Sequence, residues 1–395
     1  MTTLLHISDT HLGKRQYRSE ERREDFAAAF DQAIDIALGE HPNHDNEEVD
    51  AVIHTGDLFD DSEARLPDMH RCQNILQRLS DANVPFYAII GNHERKLTTQ
   101  FIDLYEDAGL STRLSKQPTV INGEVCLYGI DAIRKRAWES TDFSLEEPED
   151  DDMFDIVCMH QLLTPPIDAE YLAEYEAEEV LDRLNRDIDA MALGDYHKRC
   201  SATVNGVDLW YPGSTERCAK DETDQRSVEL LDVDTTRDSP LTRRFLTLNT
   251  PQFQRIKVEF SEGDTLTNVQ EKVEARVPFN GDVVIVELEG ENVSVTKQQV
   301  YALLDQYDVR VSKVHDNRSL DDFEVDSTPS ATRVNDIDSA VSEAFNDRDF
   351  SEQTEDITDI IQDTDDTPKS NVEGKVESFL ETSGSDDSDD ENEEQ

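Results

Sequence analysis

Leu4-Leu5-His6-Ile7-Ser8-Asp9-Thr10-His11 decides how the chain is read: a short apolar run stops at a carboxylate and an imidazole two residues apart. The same theme returns along the chain. Val49–His54 leads into Gly56-Asp57, and Phe86–Ile90 into Gly91-Asn92-His93. Phe154–Met159 leads into His160, and Ile188–Leu193 into Gly194-Asp195. Apolar runs this short, bounded by turn residues, read as strands buried on both faces. Helical patterns over residues 20–38 and 66–80 separate the first three runs. Alternating strand and helix predicts an α/β layered sheet, and in such folds ligands bind beyond the carboxyl ends of the strands.

The polar residues at those ends form a set. They are Asp9-x-His11, Gly56-Asp57-x-x-Asp60, Gly91-Asn92-His93-Glu94, His160 and Gly194-Asp195-x-His197. Carboxylate, imidazole and amide oxygen are donors suited to divalent ions such as manganese. A carboxylate after a glycine turn, as at Asp57, can bridge two ions about 3.5–4 Å apart, the usual spacing in two-metal hydrolytic sites. Each motif alone is common; their order, each after an apolar run, is specific. His6 and His54 lie inside the runs and are expected to be hydrogen-bonded core residues. His41 and His44 fall in a polar loop, His70 in a helix and His315 near the end of the ordered pattern, where surface or packing roles are expected. Cys158 reads as strand core and Cys200 as incidental.

Ile7–Gly13, Thr55–Asp60, Gly91–Glu94 and Tyr211–Arg217 together resemble the calcineurin-like metallophosphoesterase superfamily, and within it the SbcD-type nucleases. The match covers about residues 1–233. The resemblance implies an enzyme, a manganese-dependent 3′-to-5′ exonuclease and single-strand endonuclease acting on DNA ends in double-strand-break repair. It implies two manganese ions per subunit, one held by Asp9, His11, Asp57 and His197, the other by Asp57, Asn92, His160 and the residue at 195. The metals would supply a hydroxide nucleophile and clamp the phosphate. His93 would bind no metal and would stabilise the transition state or protonate the leaving oxygen. Two positions depart from the nuclease pattern. Asp195 stands where the family usually has histidine, and Asp60 stands where related nucleases often carry histidine. In the phosphatase branch an aspartate at the latter position pairs with the catalytic histidine, so Asp60 is expected to orient His93 and raise its pKa. The competing reading is a small-substrate phosphatase or cyclic-nucleotide phosphodiesterase on the same core. A third is a repair scaffold with vestigial catalysis.

The fold expected is therefore α/β: a layered metallophosphoesterase core of β-sheets flanked by helices, a small α/β capping domain and an acidic, partly disordered C-terminal tail. Residues 1–233 form the nuclease domain, 234–251 a linker, 252–316 the cap and 317–395 the tail. Within the cap, strands over Arg255–Phe260, Asp282–Leu288 and Val309–Val314 alternate with helices over Leu266–Val277 and Lys297–Tyr307. In the tail, Val334–Phe345, Ile357–Ile361 and Val372–Leu380 carry amphipathic patterns, each too short to bury a core alone. The family works with a coiled-coil, SMC-like repair ATPase, and these segments are where it would dock. A homodimer through the first two helices is implied as well, although the apolar stripe Met69, Cys72, Ile75, Leu76 and Leu79 is equally explained by packing on the sheet.

A net charge of −53 on 395 residues exceeds what the tail alone supplies. Such self-repulsion opposes a compact state unless salt screens it, and at molar salt the Debye length shrinks to about 3 Å. Together with scarce lysine, this resembles halophilic proteins. DNA binding then requires local positive charge. Basic residues do cluster at Lys14, Arg15, Arg18, Arg22 and Arg23, at Arg95-Lys96, at Arg134-Lys135-Arg136 and at Lys198-Arg199. No run of residues is long enough to span a bilayer and Met1–His6 has no basic leader, so neither membrane nor secretion is expected. Widely spaced Cys72, Cys126, Cys158, Cys200 and Cys218 are read as reduced thiols of a cytoplasmic protein.

Overall fold

In the computed structural model, which describes residues 1–44, 48–96, 99–149, 152–168 and 172–318, the chain builds two six-stranded sheets in succession and then returns to the first. β1 (Thr2–Ile7), β2 (Ala51–His54), β3 (Phe86–Ala88) and β4 (Thr112–Arg113) lie side by side, all parallel. Helices α1 (Glu20–Ala37), α2 (Leu66–Asp81) and α3 (Phe101–Asp107) connect them. The second sheet follows with β5 (Thr119–Ile121), β6 (Val125–Ile130) and β7 (Phe154–His160). A small strand pair, β8 (Leu163–Thr164) with β9 (Tyr175–Glu176), and helix α4 (Ala177–Arg183) precede β10 (Ala190–Gly194), β11 (Cys200–Val204) and β12 (Val207–Tyr211). The order in this sheet is β11-β12-β10-β7-β6-β5, with the four inner strands parallel. β13 (Ser227–Val233) then joins the first sheet antiparallel to β1, and β14 (Leu241–Thr247) forms its edge.

The apolar runs are continuous because both faces of these strands are covered. Leu5, Ile7 and Val52 pack under the helices with Phe30, Ile34, Leu76 and Leu79. Leu4, Ala51 and Ile53 face the other way and meet Ile156, Cys158, Ala190, Ala192 and Trp210 from the second sheet. Val157, Met159, Met191 and Leu193 fill the outer face of that sheet with Trp138, Phe143 and Val180. The α2 stripe of Cys72, Ile75, Leu76 and Leu79 lies wholly in the first core, so it packs on the sheet. The outward faces of α1 and α2 are instead joined by ion pairs of Arg71 to Glu24 and Asp31, and of Arg78 to Asp35 and Glu40.

Part of the segment read as linker is a strand. β14 pairs along its whole length with β13, and its two arginines lie on opposite faces, Arg243 inward on buried Glu229 and the Trp210 ring, Arg244 on Asp232. Edge strands tolerate such charge, which is why the composition resembled a loop. Beyond it β15 (Phe253–Phe260), β16 (Asp282–Gly290) and β17 (Val309–Asp316) form a parallel three-stranded sheet. Helices α5 (Leu266–Glu274) and α6 (Lys297–Leu304) cross over it, in the β-α-β-α-β order read from the sequence. α5 ends before Val277, whose position ahead of Pro278 disfavours helix. This cap is fastened to the core by charge. Arg22, fully buried, binds Asp25, and Arg310 of β17 binds the other oxygen of Asp25. Arg217, equally buried, donates to Thr250, to the Pro251 carbonyl and to Gln252. Arg22 therefore serves the interior and does not belong to the basic surface cluster in which the sequence placed it. The amphipathic segments at Val334–Phe345, Ile357–Ile361 and Val372–Leu380 lie outside the described residues.

Candidate metal centre

Both sheets present the carboxyl ends of their parallel strands to one seam. Asp9 and His11 follow β1, Asp57 follows β2, and Asn92 and His93 follow β3. His160 ends β7, and Asp195 and His197 follow β10. Asp9, His11, Asp57 and Asp195 all have positive φ, at 53°, 43°, 54° and 84°. Side chains rarely adopt that conformation, and such strain clusters at functional sites. The glycines of the motifs explain the close approach. A Cβ on Gly91 would collide with Asp57, and one on Gly194 with the Thr55 carbonyl. Gly56 runs at φ 93°, and a Cβ there would collide with the His160 ring.

Asp57 sits at the centre. Its Oδ1 accepts the His93 amide at 3.0 Å. Its Oδ2 lies 3.5 Å from His160 Nε2, 3.8 Å from His11 Nε2 and 4.0 Å from His93 Nε2. Asp9 faces His197 Nε2 at 3.8 Å and accepts the Asp195 amide, while the Asp195 carboxylate faces His160 at 3.7 Å and accepts from Asn92 at 3.4 Å. The predicted residues Asp9, His11, Asp57, Asn92, His93, His160, Asp195 and His197 are thus brought together.

Asp60 is also present, with a different role from the one expected. Its carboxylate binds Lys14 at 2.7 Å and faces His11 at 3.4 Å, and it is the Asp60 backbone carbonyl that accepts from His93 Nδ1, at 3.1 Å. Burial lowers the His93 pKa, against the expected rise, although Asp57 and Asp60 pull the other way. Burial opposes ionisation of Asp60, yet His11 and Lys14 hold its carboxyl down to about 2.

The donor set fits divalent metal. His160 gives its Nδ1 proton to the Thr55 carbonyl at 2.6 Å, which leaves Nε2 as a lone pair aimed at Asp57. His197 gives its Nδ1 proton to Glu222 at 3.0 Å, and its Nε2 then faces His11 Nε2 at 3.1 Å. Metal-ligating imidazoles are held by such partners on the far nitrogen. Asp57 Oδ2 and His160 Nε2 are buried and make no hydrogen bond. Buried polar atoms are rarely left this way unless something else satisfies them. Without metal, protons take its place. Burial pulls His160 down, but Asp57, Asp195 and Asp9 raise it well above the ordinary histidine range. Burial likewise opposes protonation of His11, yet neighbours including Cys218 and Asp60 raise it to about 10. Asp195 is pushed up to about 6 by burial, with Asp57 and Asp9 adding to the rise and His160 opposing it.

Sequence reading missed four contributors. Thr55 and Glu94 stood inside the quoted motifs. The buried Glu94 carboxylate accepts the amides of Phe59 and Gly91, tying two motif loops together, and burial beside Asp57 raises it to about 7. Glu222 and Cys218 had no motif spacing to announce them. Cys218 nevertheless joins His11 and His197 in a group whose ligating atoms lie within 4.8 Å of one another. His6 and His54 are buried hydrogen-bonded core residues, His6 between Trp210 and Thr55, and His54 on Thr10. Of the basic residues, Lys14 is paired with Asp60, Arg23 with Asp68 and Lys198 with Asp221, while Arg134, Lys135 and Arg136 are exposed.

A family model described as calcineurin-like phosphoesterase matches residues 2–199. The DNA double-strand break repair protein Mre11 of Haloferax volcanii is 36% identical over 389 residues, 98% of this chain and 83% of that protein. The protein of the same name from Halobacterium salinarum is 31% identical over 366 residues, 92% of this chain and 90% of its own. That of Methanosarcina mazei is 33% identical over 389 residues, 95% of this chain and 59% of its own. Family model, relatives and seam geometry agree. The chain is a metal-dependent phosphodiesterase and belongs to the calcineurin-like phosphoesterase family, in the branch that holds the archaeal Mre11 proteins.

Proposed function

We propose that this chain is a manganese-dependent nuclease that trims DNA ends in double-strand-break repair, as a 3′-to-5′ exonuclease and single-strand endonuclease. The observation that carries the reading is Asp57 Oδ2, buried, without a hydrogen bond, and flanked by imidazoles from both sheets. Asp9, His11, Asp57 and His197 would hold one ion, and Asp57, Asn92, His160 and Asp195 the other. Bound there, a metal pair supplies Lewis acidity and an activated water for phosphodiester hydrolysis. The protein's own part is positioning and proton transfer. Asp57 fixes the His93 backbone, and the Asp60 carbonyl holds His93 Nδ1. With Nδ1 donating to that carbonyl, His93 Nε2 would pass a proton to the leaving oxygen from the imidazolium form, which Asp57 and Asp60 favour against burial. Glu222 and the Thr55 carbonyl hold His197 and His160 in the tautomer that leaves Nε2 free.

The carboxylates and the amide among the donors suit manganese, and the Mre11 relatives favour DNA over a small phosphate ester. Exposed Arg134, Lys135 and Arg136 are the group best placed for backbone phosphates. Among the described residues no helix is long and apolar enough to cross a membrane. Residues 317–395 would dock a coiled-coil, SMC-like ATPase. A homodimer would have to join through the charged outer faces of α1 and α2, and light scattering at high salt decides it. The central test is a nuclease assay on defined DNA ends, with and without manganese, at high potassium chloride. Manganese-dependent release of nucleotides supports the reading. Hydrolysis of small phosphate esters with no cleavage of DNA would support the phosphatase reading instead.

A further inference from the structure

Cys218 lies on the loop between β12 and β13, partly exposed, at the rim of the seam. Its ligating atom and those of His11 and His197 lie within 4.8 Å of one another. The group is held in place by a single carboxylate. Glu222 Oε2 accepts the Cys218 amide at 2.9 Å while its Oε1 accepts His197 Nδ1 at 3.0 Å. Gln16 adds a hydrogen bond to the Cys218 carbonyl at 2.9 Å. The thiol faces His11 and His197 and also makes a long contact, 3.5 Å, with the Glu216 carbonyl. On the other side of the group fully buried His11 turns Nδ1 to the Asp60 carboxylate at 3.4 Å, which leaves Nε2 toward His197 at 3.1 Å. Imidazole and thiolate are both zinc donors, and a site with three protein ligands keeps its fourth position open. Among the described residues no other cysteine stands in such a group.

We propose that His11, His197 and Cys218 form a thiophilic subsite that binds zinc through the Cys218 sulfur, so that this half of the centre discriminates between soft and hard ions. The inference rests on the metal-facing reading of His11 and His197 given above. On binding, the Cys218 S–H bond is replaced by a sulfur–zinc bond and the proton leaves to solvent. Manganese gains little from sulfur, and zinc stands above it in intrinsic affinity for nitrogen and sulfur donors. Zinc is then a competing occupant that displaces manganese from the His11–His197 side.

The test uses the full chain stripped of metal and titrated with cobalt, zinc and manganese chlorides, alongside Cys218→Ser and Cys218→Ala. Cobalt bound to the unsubstituted protein is expected to show thiolate-to-cobalt charge-transfer absorption in the near ultraviolet, and both variants to lack it. Zinc affinity by calorimetry should fall at least ~10-fold in the variants, and manganese affinity change less than ~3-fold. Cobalt binding without that absorption, or zinc affinity unchanged in folded variants, overturns the subsite and leaves the metal centre standing. Failure of the unsubstituted protein to bind any of the three ions overturns both. The spectrum of the unsubstituted protein decides the matter even if a variant does not fold.

Discussion

The two oxygens of Asp57 have separate partners, and that division makes its amide isostere informative. In Asp57→Asn, Oδ1 can still accept the His93 amide, but the second position becomes a neutral donor facing His11, His93 and His160. The expected result is a folded protein whose manganese affinity, by calorimetry, falls ~10-fold or more, with nuclease activity largely lost. Full manganese-dependent activity in this variant would remove Asp57 from the bridging position. His93 makes the complementary case. His93→Ser deletes the Nε2 proton donor without touching a proposed ligand, so both ions should remain while cleavage falls by about 10²–10⁴. Loss of metal in that variant contradicts the assignment. Residue identities at the centre were legible because each ends an apolar run. The Asp60 contact was not, because the chain's own carbonyl serves where a side chain was expected. Nor were Glu222 and Cys218, which reach the seam from a loop whose path depends on buried Arg217 and Arg226.

Strands β1 and β13 pair His6 with Glu229, two buried groups that titrate in opposite senses. Burial, with His54 and Arg243 adding to it, holds His6 down to about 3 from 6.5. Its contribution to stability is present above pH 6.5 and is lost as pH falls toward 3. Burial pushes Glu229 up to about 7 from 4.5, although Arg243 and Arg199 oppose the rise. Its contribution is present below pH 4.5 and is lost as pH rises toward 7. Melting temperatures should therefore show His6→Gln losing less stability on acidification than the parent, and Glu229→Gln losing less between pH 5 and 7. Slopes identical to the parent in both variants would refute the pairing's role. At this scale, strands buried on both faces and helices with a clear apolar stripe were legible. β6, Val125–Ile130, is equally apolar but ends in no motif residue that would mark it. β14 was hidden because adjacent Arg243 and Arg244 put a charge on each face of the strand. The division of parallel strands into two facing sheets has no local signature, since inward and outward residues on both are alike apolar.

Over the whole molecule the charge of −53 is spread beyond the tail, and the cap is held by buried ion pairs around Arg22, Asp25 and Arg310. Deletion of residues 330–395 removes none of the described elements. The truncated chain should keep nuclease activity on short substrates and lose co-purification with the ATPase, whereas wild-type yield of the complex would place the docking surface elsewhere. Asp9, His11, Asp57, Asn92 and His93 come from the first sheet, and His160, Asp195 and His197 from the second. The first sheet is closed only when β13 and β14, made after the whole second sheet, return to its edge. A growing chain therefore has all of these residues only after His197, and the sheet that carries the first five is completed later still. A chain stalled or clipped midway carries half a set of ligands, and an aborted translation product poses no hazard to the genome the finished enzyme serves.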